Sequence, residues 1–236
     1  MTNLELVELA GLTARVVTPA DPKITCVLLH GFGARGDDLV SLADVYDLPV
    51  RFVFPAAPIE LGGLYGDARA WWRLDLARLE ADMRSGAVRD RRGEVPDGLV
   101  EARAQVTQLL AEVQARFGAT ADRLVLGGFS QGAMLALDVA LHRGAKPAGL
   151  MLMSGTIIAE QAWAPRLASL AGTPVVLSHG RQDGLLPFAI AELLRDRLTE
   201  AGAVVDWQPF NGGHEIPMPV LAAGGRLLAR LTTSGA

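Results

Sequence analysis

The sequence has very little cysteine and no long apolar run. Cys26 is the single cysteine among 236 residues, so no disulfide can form within the chain. No segment approaches the ~18 consecutive apolar residues that a membrane-spanning helix needs, and the acidic start of the chain is unlike a signal peptide. We therefore expect a cytoplasmic protein without stable membrane insertion, in which Cys26 is a buried and inert thiol.

An excess of charge of one sign is missing as well. The 22 basic and 26 acidic residues give a formal net charge of −4, which offers no electrostatic reason to expect a nucleic-acid partner. The histidines and the cysteine lack metal-ligand spacings such as H-E-x-x-H or C-x-x-C, so we expect no metal and no cofactor. Half of the residues are hydrophobic, which is typical of a folded chain with a sizeable core.

Strand-like and helix-like patterns alternate along the chain. Residues 4–9 and 14–19 alternate apolar and polar positions, which predicts an antiparallel hairpin. Further strands are predicted at 24–29, 50–55, 123–128, 148–155, 173–180 and 203–210, and helices at 38–46, 99–117, 131–144, 160–170, 187–202 and 217–232. The alternation predicts a single α/β domain over 1–236, with a mostly parallel sheet and helices on both faces. Asp37 or Asp38 is the expected cap of the first helix.

Residues 56–96 interrupt this alternation with glycines, prolines, two adjacent tryptophans and a charged end. Loops of this length in compact domains are usually functional or disordered. We expect the aromatic first half to fold over a site as a cover. The sequence leaves open whether 77–96 is ordered.

The stretch G-F-S-Q-G places Ser130 between a predicted strand and a predicted helix. A G-x-S-x-G turn at such a junction is a nucleophile elbow, which is too tight for flanking side chains and lifts the serine Oγ clear of the backbone. The helix that begins at Gln131 points free N–H groups toward the same place, where they favour negative charge. For the motif alone, a helix-capping serine in a tight turn is the alternative.

A serine nucleophile needs a base, and the base needs an acid that orients it. Asp183 and His214 follow two later predicted strands, in the chain order serine, acid, histidine that this architecture uses. Both follow carboxyl ends of strands, where open α/β sheets place their ligand sites. Each residue alone could be an ordinary loop residue, but the three together predict a catalytic triad. His179 is expected to support the turn that carries Asp183.

Acyl transfer also needs fixed N–H donors for the oxygen that becomes negative. One expected donor is the backbone N–H of Gln131, and the second comes from the glycine loop at 30–33. We choose Phe32 for this second donor, with Gly33 as the alternative, and expect His30 to support the loop. Candidates for an apolar acyl pocket are Phe32, Leu64, Trp71, Trp72, Leu185 and Met218. Several of these, Trp72 and Met218 among them, could equally belong to the core.

Five segments of the chain resemble one known family in sequence and order. They are HGFGARGDD, RAWWRLD, GGFSQGAMLAL, SHGRQDGLLP and GGHEIPMPVL. The chain resembles the phospholipase/carboxylesterase family of α/β-hydrolases, which includes bacterial carboxylesterases and acyl-protein thioesterases. The resemblance covers about residues 20–225 and implies the α/β-hydrolase fold.

The resemblance also implies roles for particular residues. It implies Ser130 as nucleophile, Asp183 as acid and His214 as base, with the backbone amides of Phe32 and Gln131 as oxyanion donors. Its tryptophan-containing segment matches residues 71–75 here and implies a wall of the acyl pocket.

These motifs predict a serine carboxylesterase that hydrolyses a small-molecule acyl ester through an acyl-enzyme intermediate. The alternatives are an acyl-protein thioesterase, a lysophospholipase and, from another class, a non-catalytic binding protein on the same scaffold. Phe32 stands where acyl-protein thioesterases usually carry leucine, which favours the simple carboxylesterase. The acyl-chain length, the leaving group and the formation of a homodimer stay open.

Overall fold

The computed structural model describes residues 3–75, 77–78, 81 and 90–233. The predicted hairpin opens the chain as β1 (Asn3–Leu9) and β2 (Leu12–Thr18), paired antiparallel. The other described strands are β3 (Ile24–Leu29), β4 (Val50–Pro55), β5 (Ile59–Glu60), β6 (Arg69–Ala70), β7 (Leu124–Phe129), β8 (Gly149–Met153), β9 (Pro174–Gly180) and β10 (Val204–Phe210). The described α-helices are α1 (Leu42–Tyr46), α2 (Leu99–Phe117), α3 (Gln131–His142), α4 (Glu160–Trp163), α5 (Phe188–Glu200) and α6 (Met218–Thr233).

Eight of the described strands form one sheet, in the order β1-β2-β4-β3-β7-β8-β9-β10. β2 runs antiparallel to β4, and every neighbouring pair from β4 to β10 is parallel. The predicted α/β class, with a mostly parallel sheet entered by an antiparallel hairpin, is confirmed. Because β3, β4 and the strands from β7 to β10 run the same way, their carboxyl ends share one edge of the sheet, where the loops with the candidate residues lie.

Apolar side chains cover both faces of the sheet, as the continuously apolar β3 predicts. On one face, Leu29 packs in a cluster with residues of α2, α3 and α5. On the other face, Leu28 packs with residues of α1 and α6. Cys26 lies fully buried in this second cluster, and burial raises the pKa of its thiol. The prediction of a buried thiol is therefore confirmed.

Two helices differ from their predicted form. Residues 37–41 make successive turns, so α1 begins only at Leu42, and no side-chain bond caps it. The predicted cap is therefore wrong, and the Asp37 carboxylate instead pairs with Arg15 and Arg35 at 3.8 and 3.6 Å. The helix predicted at 160–170 is α4 followed by a 3₁₀ segment over 164–170. Pro165 has no N–H to donate to the preceding turn, which accounts for the tighter winding.

The interrupting segment 56–96 begins with a small antiparallel ladder of β5 and β6. Residues 72–75 then reach the edge of the sheet that holds the candidate residues, as expected of a cover. Residues 79–80 and 82–89 lie outside the described residues, and they make up half of the segment 77–96 whose order the sequence leaves open. No helix within the described ranges has the length and apolar character needed to cross a bilayer.

Helix α3, which follows the predicted elbow, is buried along nearly its whole length. It carries the fully buried Asp138, whose two carboxylate oxygens accept bonds from neighbouring helices. Arg103 on α2 donates from Nε at 2.7 Å, and Trp163 on α4 donates from Nε1 at 2.8 Å. A buried carboxylate is tolerated only with such partners, so this cluster fixes α3 against α2 and α4.

Candidate active site

Ser130 lies at the sharp junction between β7 and α3. Its backbone has φ 54° and ψ −119°, a conformation that L-residues rarely adopt and that costs on the order of 1–3 kcal/mol. The Ser130 N–H bonds the carbonyl of Met153 on β8 at 2.8 Å, and its own carbonyl accepts the N–H of Ala133 at 3.0 Å. These bonds hold the strained turn, and strain of this kind is typical of functional residues.

Glycines surround this turn because other backbone segments come too close for a side chain. A Cβ on Gly128 would overlap the carbonyl oxygen of Leu29, and a Cβ on Gly132 would overlap the same oxygen. The two glycines thus let the elbow pack directly on the end of β3. Gly127 has a separate reason, since its Cβ would overlap the backbone of Met151 on the neighbouring strand β8.

Asp183 and His214 meet at the carboxyl edge of the sheet. Asp183 follows β9 and His214 follows β10, and Asp183 Oδ2 lies 2.6 Å from His214 Nδ1. The other carboxylate oxygen accepts the backbone N–H groups of Leu185 and Leu186 at 2.8 and 2.9 Å. Burial alone would raise the pKa of Asp183, but the bonds from His214 and the two amides outweigh it and hold the pKa below its ordinary value. The carboxylate is therefore ionised and oriented toward the imidazole.

His179 supports this arrangement from β9. Its Nε2 lies 3.0 Å from the carbonyl oxygen of Leu186 and 3.3 Å from Asp183 Oδ2. Both neighbours are acceptors, so Nε2 carries the proton. The expected support of the Asp183 turn by His179 is confirmed. Burial lowers the pKa of His179, so the ring stays neutral and donates without adding a charge.

The glycine loop after β3 is held by His30, as predicted. His30 Nε2 accepts the N–H of Ala57 at 2.9 Å, so the proton is on Nδ1, which donates to the carbonyl of Gly31 at 2.7 Å. Gly33, the alternative oxyanion donor, already gives its N–H to the carbonyl of Arg69 at 2.9 Å, which argues against it. None of the described backbone hydrogen bonds uses the N–H of Phe32. Phe32 is therefore the better candidate of the two.

The two buried histidines make stability depend on pH. Burial lowers the pKa values of His30 and His179 below the ordinary 6.5. Both rings therefore stay neutral in the folded chain at pH values where they take up protons in the unfolded chain. Below pH 6.5 the unfolded state then binds more protons than the folded state. The free energy of unfolding should therefore decrease as the pH is lowered. The expected slope is up to ~1.4 kcal/mol per pH unit for each histidine. Urea titrations from neutral to mildly acidic pH measure it.

The matched variant for this prediction is His30→Gln, whose side-chain oxygen can still accept the N–H of Ala57. It should lose part of the slope, because one group that titrates only in the unfolded state is gone. Parallel pH profiles of the wild-type chain and the variant would contradict the assignment.

A cavity of about 320 Å³ opens over the elbow. Ser130, Gln131, Phe32 and His214 lie in its wall. Apolar side chains form most of the rest: Trp72, Leu74, Pro96, Phe129, Met134, Ile157, Ile158, Leu185, Leu186, Pro187 and Ile190. Charged side chains also line it: Arg73, Asp75, Arg78, Arg91 and Glu94. Ser130 and His214 thus face a common apolar space with a charged border. The described hydrogen bonds include none between Ser130 Oγ and His214 Nε2, a contact that commonly tightens on substrate binding.

Three predicted pocket residues lie elsewhere. Leu64 is fully exposed in the 3₁₀ turn between β5 and β6, and Met218 is largely exposed at the start of α6. Trp71 is buried in the core, where its Nε1 donates to the carbonyl of His30 at 3.0 Å. None of the three lines the cavity, so the prediction that they belong to the pocket is wrong. Phe32, Trp72 and Leu185 do line it.

Comparison with known proteins gives the family. The sequence profile of the Phospholipase/Carboxylesterase family matches residues 12–223. The chain belongs to this family. The resemblance seen in its motifs is thereby confirmed, and so is the α/β-hydrolase fold.

Several relatives of this family member carry names that state an activity. Acyl-protein thioesterase 1 of Neurospora crassa is 27% identical over 209 residues, which cover 84% of this chain and 83% of that protein. The crystal structure of esterase PE8 has a TM-score of 0.76 at 26% identity and covers 98% of this chain and 99% of that one. The Bacillus cereus carboxylesterase shares the fold, with a TM-score of 0.70 at 20% identity over 98% of this chain and 95% of that one. The family is thus one of hydrolases.

Three residues of the cavity wall were not predicted from the sequence. Met134 lies one helical turn after Ser130, and Ile157 and Ile158 follow β8. The signal for the two isoleucines was available, since a loop after β8 must lie at the same edge as the loops after β9 and β10. The signal for Met134 was its spacing of four residues from Ser130, which puts both on one helix face.

Proposed function

We propose that the chain is a serine carboxylesterase that hydrolyses small acyl esters through an acyl-enzyme intermediate. The observation that supports it most is the contact of 2.6 Å between Asp183 Oδ2 and His214 Nδ1, beside a cavity whose wall includes both His214 and Ser130. A binding protein would have no use for an ionised carboxylate that orients an imidazole next to a strained serine. The family adds support, because its members are hydrolases.

In the first half-reaction, Ser130 Oγ attacks the ester carbonyl carbon while His214 Nε2 takes the serine proton. The carbonyl electron pair moves onto the oxygen. When this tetrahedral species collapses, the bond to the alcohol oxygen breaks and His214 gives its proton to the leaving alcohol. Water then attacks the acyl-enzyme in the same way, which releases the carboxylic acid and restores Ser130.

The tetrahedral oxygen needs donors that are already in position. The backbone N–H groups of Phe32 and Gln131 are the proposed pair, and each such donor typically contributes ~3–4 kcal/mol. Gln131 is the first residue of α3, so its N–H has no acceptor within the helix and the helix dipole adds favourable potential there.

The apolar wall is suited to an acyl chain. A thioester is the second candidate for the cleaved bond, because the relative from Neurospora crassa is named an acyl-protein thioesterase. The same triad chemistry serves both, since only the leaving atom differs. A lysophospholipid remains a third candidate.

A series of p-nitrophenyl esters of increasing acyl length tests the proposal. Each methylene that enters the cavity should raise kcat/KM about fourfold, since burying it contributes about 0.8 kcal/mol. The gain should stop when the cavity is full. Acyl thioesters and lysophospholipids of the same chain lengths, measured in parallel, rank the leaving groups.

A matched pair of variants ties this series to the cavity. Ile158→Phe adds volume to the wall and should move the plateau to shorter chains, whereas Leu64→Phe, outside the cavity, should leave it unchanged. No turnover of any ester or thioester, together with no labelling by a fluorophosphonate probe, would favour the binding protein instead.

A further inference from the structure

We propose that the side chain of Gln131 is a positioning residue that sets the geometry of the oxyanion hole. It does so by holding residues 69–72, which in turn hold the glycine loop that contains Phe32. We call residues 69–72 the brace. The inference rests on the proposed function, because the two donors that it concerns, the backbone N–H groups of Phe32 and Gln131, have a role only in that reaction.

The first half of the argument is the attachment of the brace to the elbow. The Gln131 side chain is buried, and both ends of its amide are used. Oε1 accepts the backbone N–H of Trp71 at 2.9 Å, and Nε2 donates to the carbonyl of Trp72 at 2.9 Å. A side chain that bonds both N–H and C=O of adjacent residues fixes that backbone as a neighbouring strand would. The residue whose own N–H is a proposed donor thus also holds the brace.

The second half is the attachment of the brace to the glycine loop. Arg69 makes a reciprocal pair of backbone bonds, accepting the N–H of Gly33 at 2.9 Å and donating to the carbonyl of Ala34 at 2.8 Å. Trp71 Nε1 donates to the carbonyl of His30 at 3.0 Å. Phe32 lies between these fixed points, so the brace restricts where its N–H can lie, and the bond of the Gly31 carbonyl to His30 Nδ1 fixes how that peptide group is turned.

None of the described hydrogen bonds within the sheet joins the two donors directly. The ladder between β3 and β7 ends at the pair Leu29 and Gly128, one residue before the loop and two before Ser130. Beyond it, a continuous hydrogen-bonded connection runs from Gln131 through the brace to the loop. Donor positions must be held to within about 0.5 Å, and a misplacement of ~1 Å can cost about 10²-fold in rate. A dedicated connection therefore has a large effect on catalysis.

A purely structural role for the same side chain makes a different prediction. If Gln131 only satisfied two buried backbone groups, its loss would lower the melting temperature and leave the turnover of the folded enzyme unchanged. If it positions the donors, its loss lowers kcat and weakens the binding of a transition-state analogue, while KM changes little. The two roles are separable by measurement.

The variant Gln131→Leu removes both side-chain bonds and keeps a similar volume and the backbone N–H. We expect kcat to fall by ~10–100-fold, as for a displaced oxyanion donor. The probe for the hole is an alkyl trifluoromethyl ketone, to whose carbonyl carbon Ser130 Oγ adds while the serine proton passes to His214, leaving an oxyanion. Its dissociation constant should rise by the same factor as kcat/KM falls.

The variant Gln131→Glu keeps the inference testable where the leucine variant does not fold. A protonated glutamic acid can accept from Trp71 N–H and donate to the Trp72 carbonyl, as glutamine does, whereas the ionised form turns an oxygen toward that carbonyl. The ratio of its kcat to the wild-type kcat should therefore rise as pH falls. Dividing by the wild-type kcat at each pH removes the pH effects that are common to both enzymes. Circular dichroism at each pH restricts the comparison to folded enzyme.

Asp138→Asn is the control for general destabilisation, because Asp138 lies buried on the same helix but does not line the cavity. It should lower the melting temperature with kcat and analogue affinity retained. Wild-type kcat in folded Gln131→Leu, or a Gln131→Glu ratio near one at a pH at which the introduced carboxyl is ionised, would overturn the inference alone. A wild-type chain that turns over no ester would overturn the proposed function as well, so the two failures are distinguishable.

Discussion

Replacing Ser130 by alanine is expected to reduce ester hydrolysis by about 10⁵–10⁶-fold, the usual cost of removing the nucleophile of a triad. None of the described side-chain hydrogen bonds involves the Ser130 hydroxyl, so its removal leaves no described partner unsatisfied. Serine and alanine both have a Cβ, so the positive φ at position 130 strains the backbone equally in the wild-type chain and in the variant. The melting temperature should therefore stay close to that of the wild-type chain. Steady-state rates on a short p-nitrophenyl ester and a thermal melt measure both quantities.

Ser130→Gly is the matched control for the backbone. Glycine adopts positive φ without a Cβ penalty, so this variant should be as inactive as Ser130→Ala and at least as stable. A fluorophosphonate probe adds a direct readout, because the serine oxygen attacks phosphorus and expels fluoride. Wild-type protein should be labelled and both variants should not. Labelling or near-wild-type turnover in either variant would contradict the assignment of the nucleophile.

The fold could be predicted well where a pattern has one physical cause. Residues 24–29 are apolar without interruption because the strand is covered on both faces, and β3 has the predicted bounds. Helix α2 also begins and ends where predicted, because its apolar positions recur with helical spacing and Gly118 ends it with φ 67°. The start of α1 could not be predicted, because one of the competing ion pairs of Asp37 is made with Arg15, which lies on β2 and outside the local pattern.

The candidate site could also be predicted only in part. Topology alone brings Ser130, Asp183 and His214 to one edge, because each comes directly after a parallel strand. The pocket wall depends instead on side-chain directions in irregular segments. Adjacent Trp71 and Trp72 look equivalent in sequence, yet only Trp72 reaches the cavity, since the indole of Trp71 turns toward the carbonyl of His30. The two bonds from the Gln131 side chain that fix this segment have no signature in local sequence.

Asp183→Asn is the second change with a very large expected effect. The asparagine can place an N–H donor where the carboxylate now accepts from His214 Nδ1 at 2.6 Å, and this favours the wrong imidazole tautomer. A change of this kind in a triad lowers kcat by about 10⁴-fold. Because the pKa of Asp183 lies below its ordinary value of 3.8, the carboxylate stays ionised at any pH near neutral. The loss should therefore be the same across the neutral range, as kcat measured against pH will report.

The difference in stability between Asp183→Asn and the wild-type chain should change with pH in a direction that can be measured. A carboxyl whose pKa is lowered on folding stabilises the chain above its ordinary pKa of 3.8, and this contribution disappears as pH falls through the folded value. Asp183→Asn should therefore be less stable than the wild-type chain near neutral pH, with the difference shrinking in acid. Asp206→Asn is the matched control, since Asp206 lies partly exposed on β10 and pairs with Arg226 at 3.4 Å, away from the cavity. Full activity in Asp183→Asn, or an equal loss in Asp206→Asn, would remove Asp183 from the proposed triad.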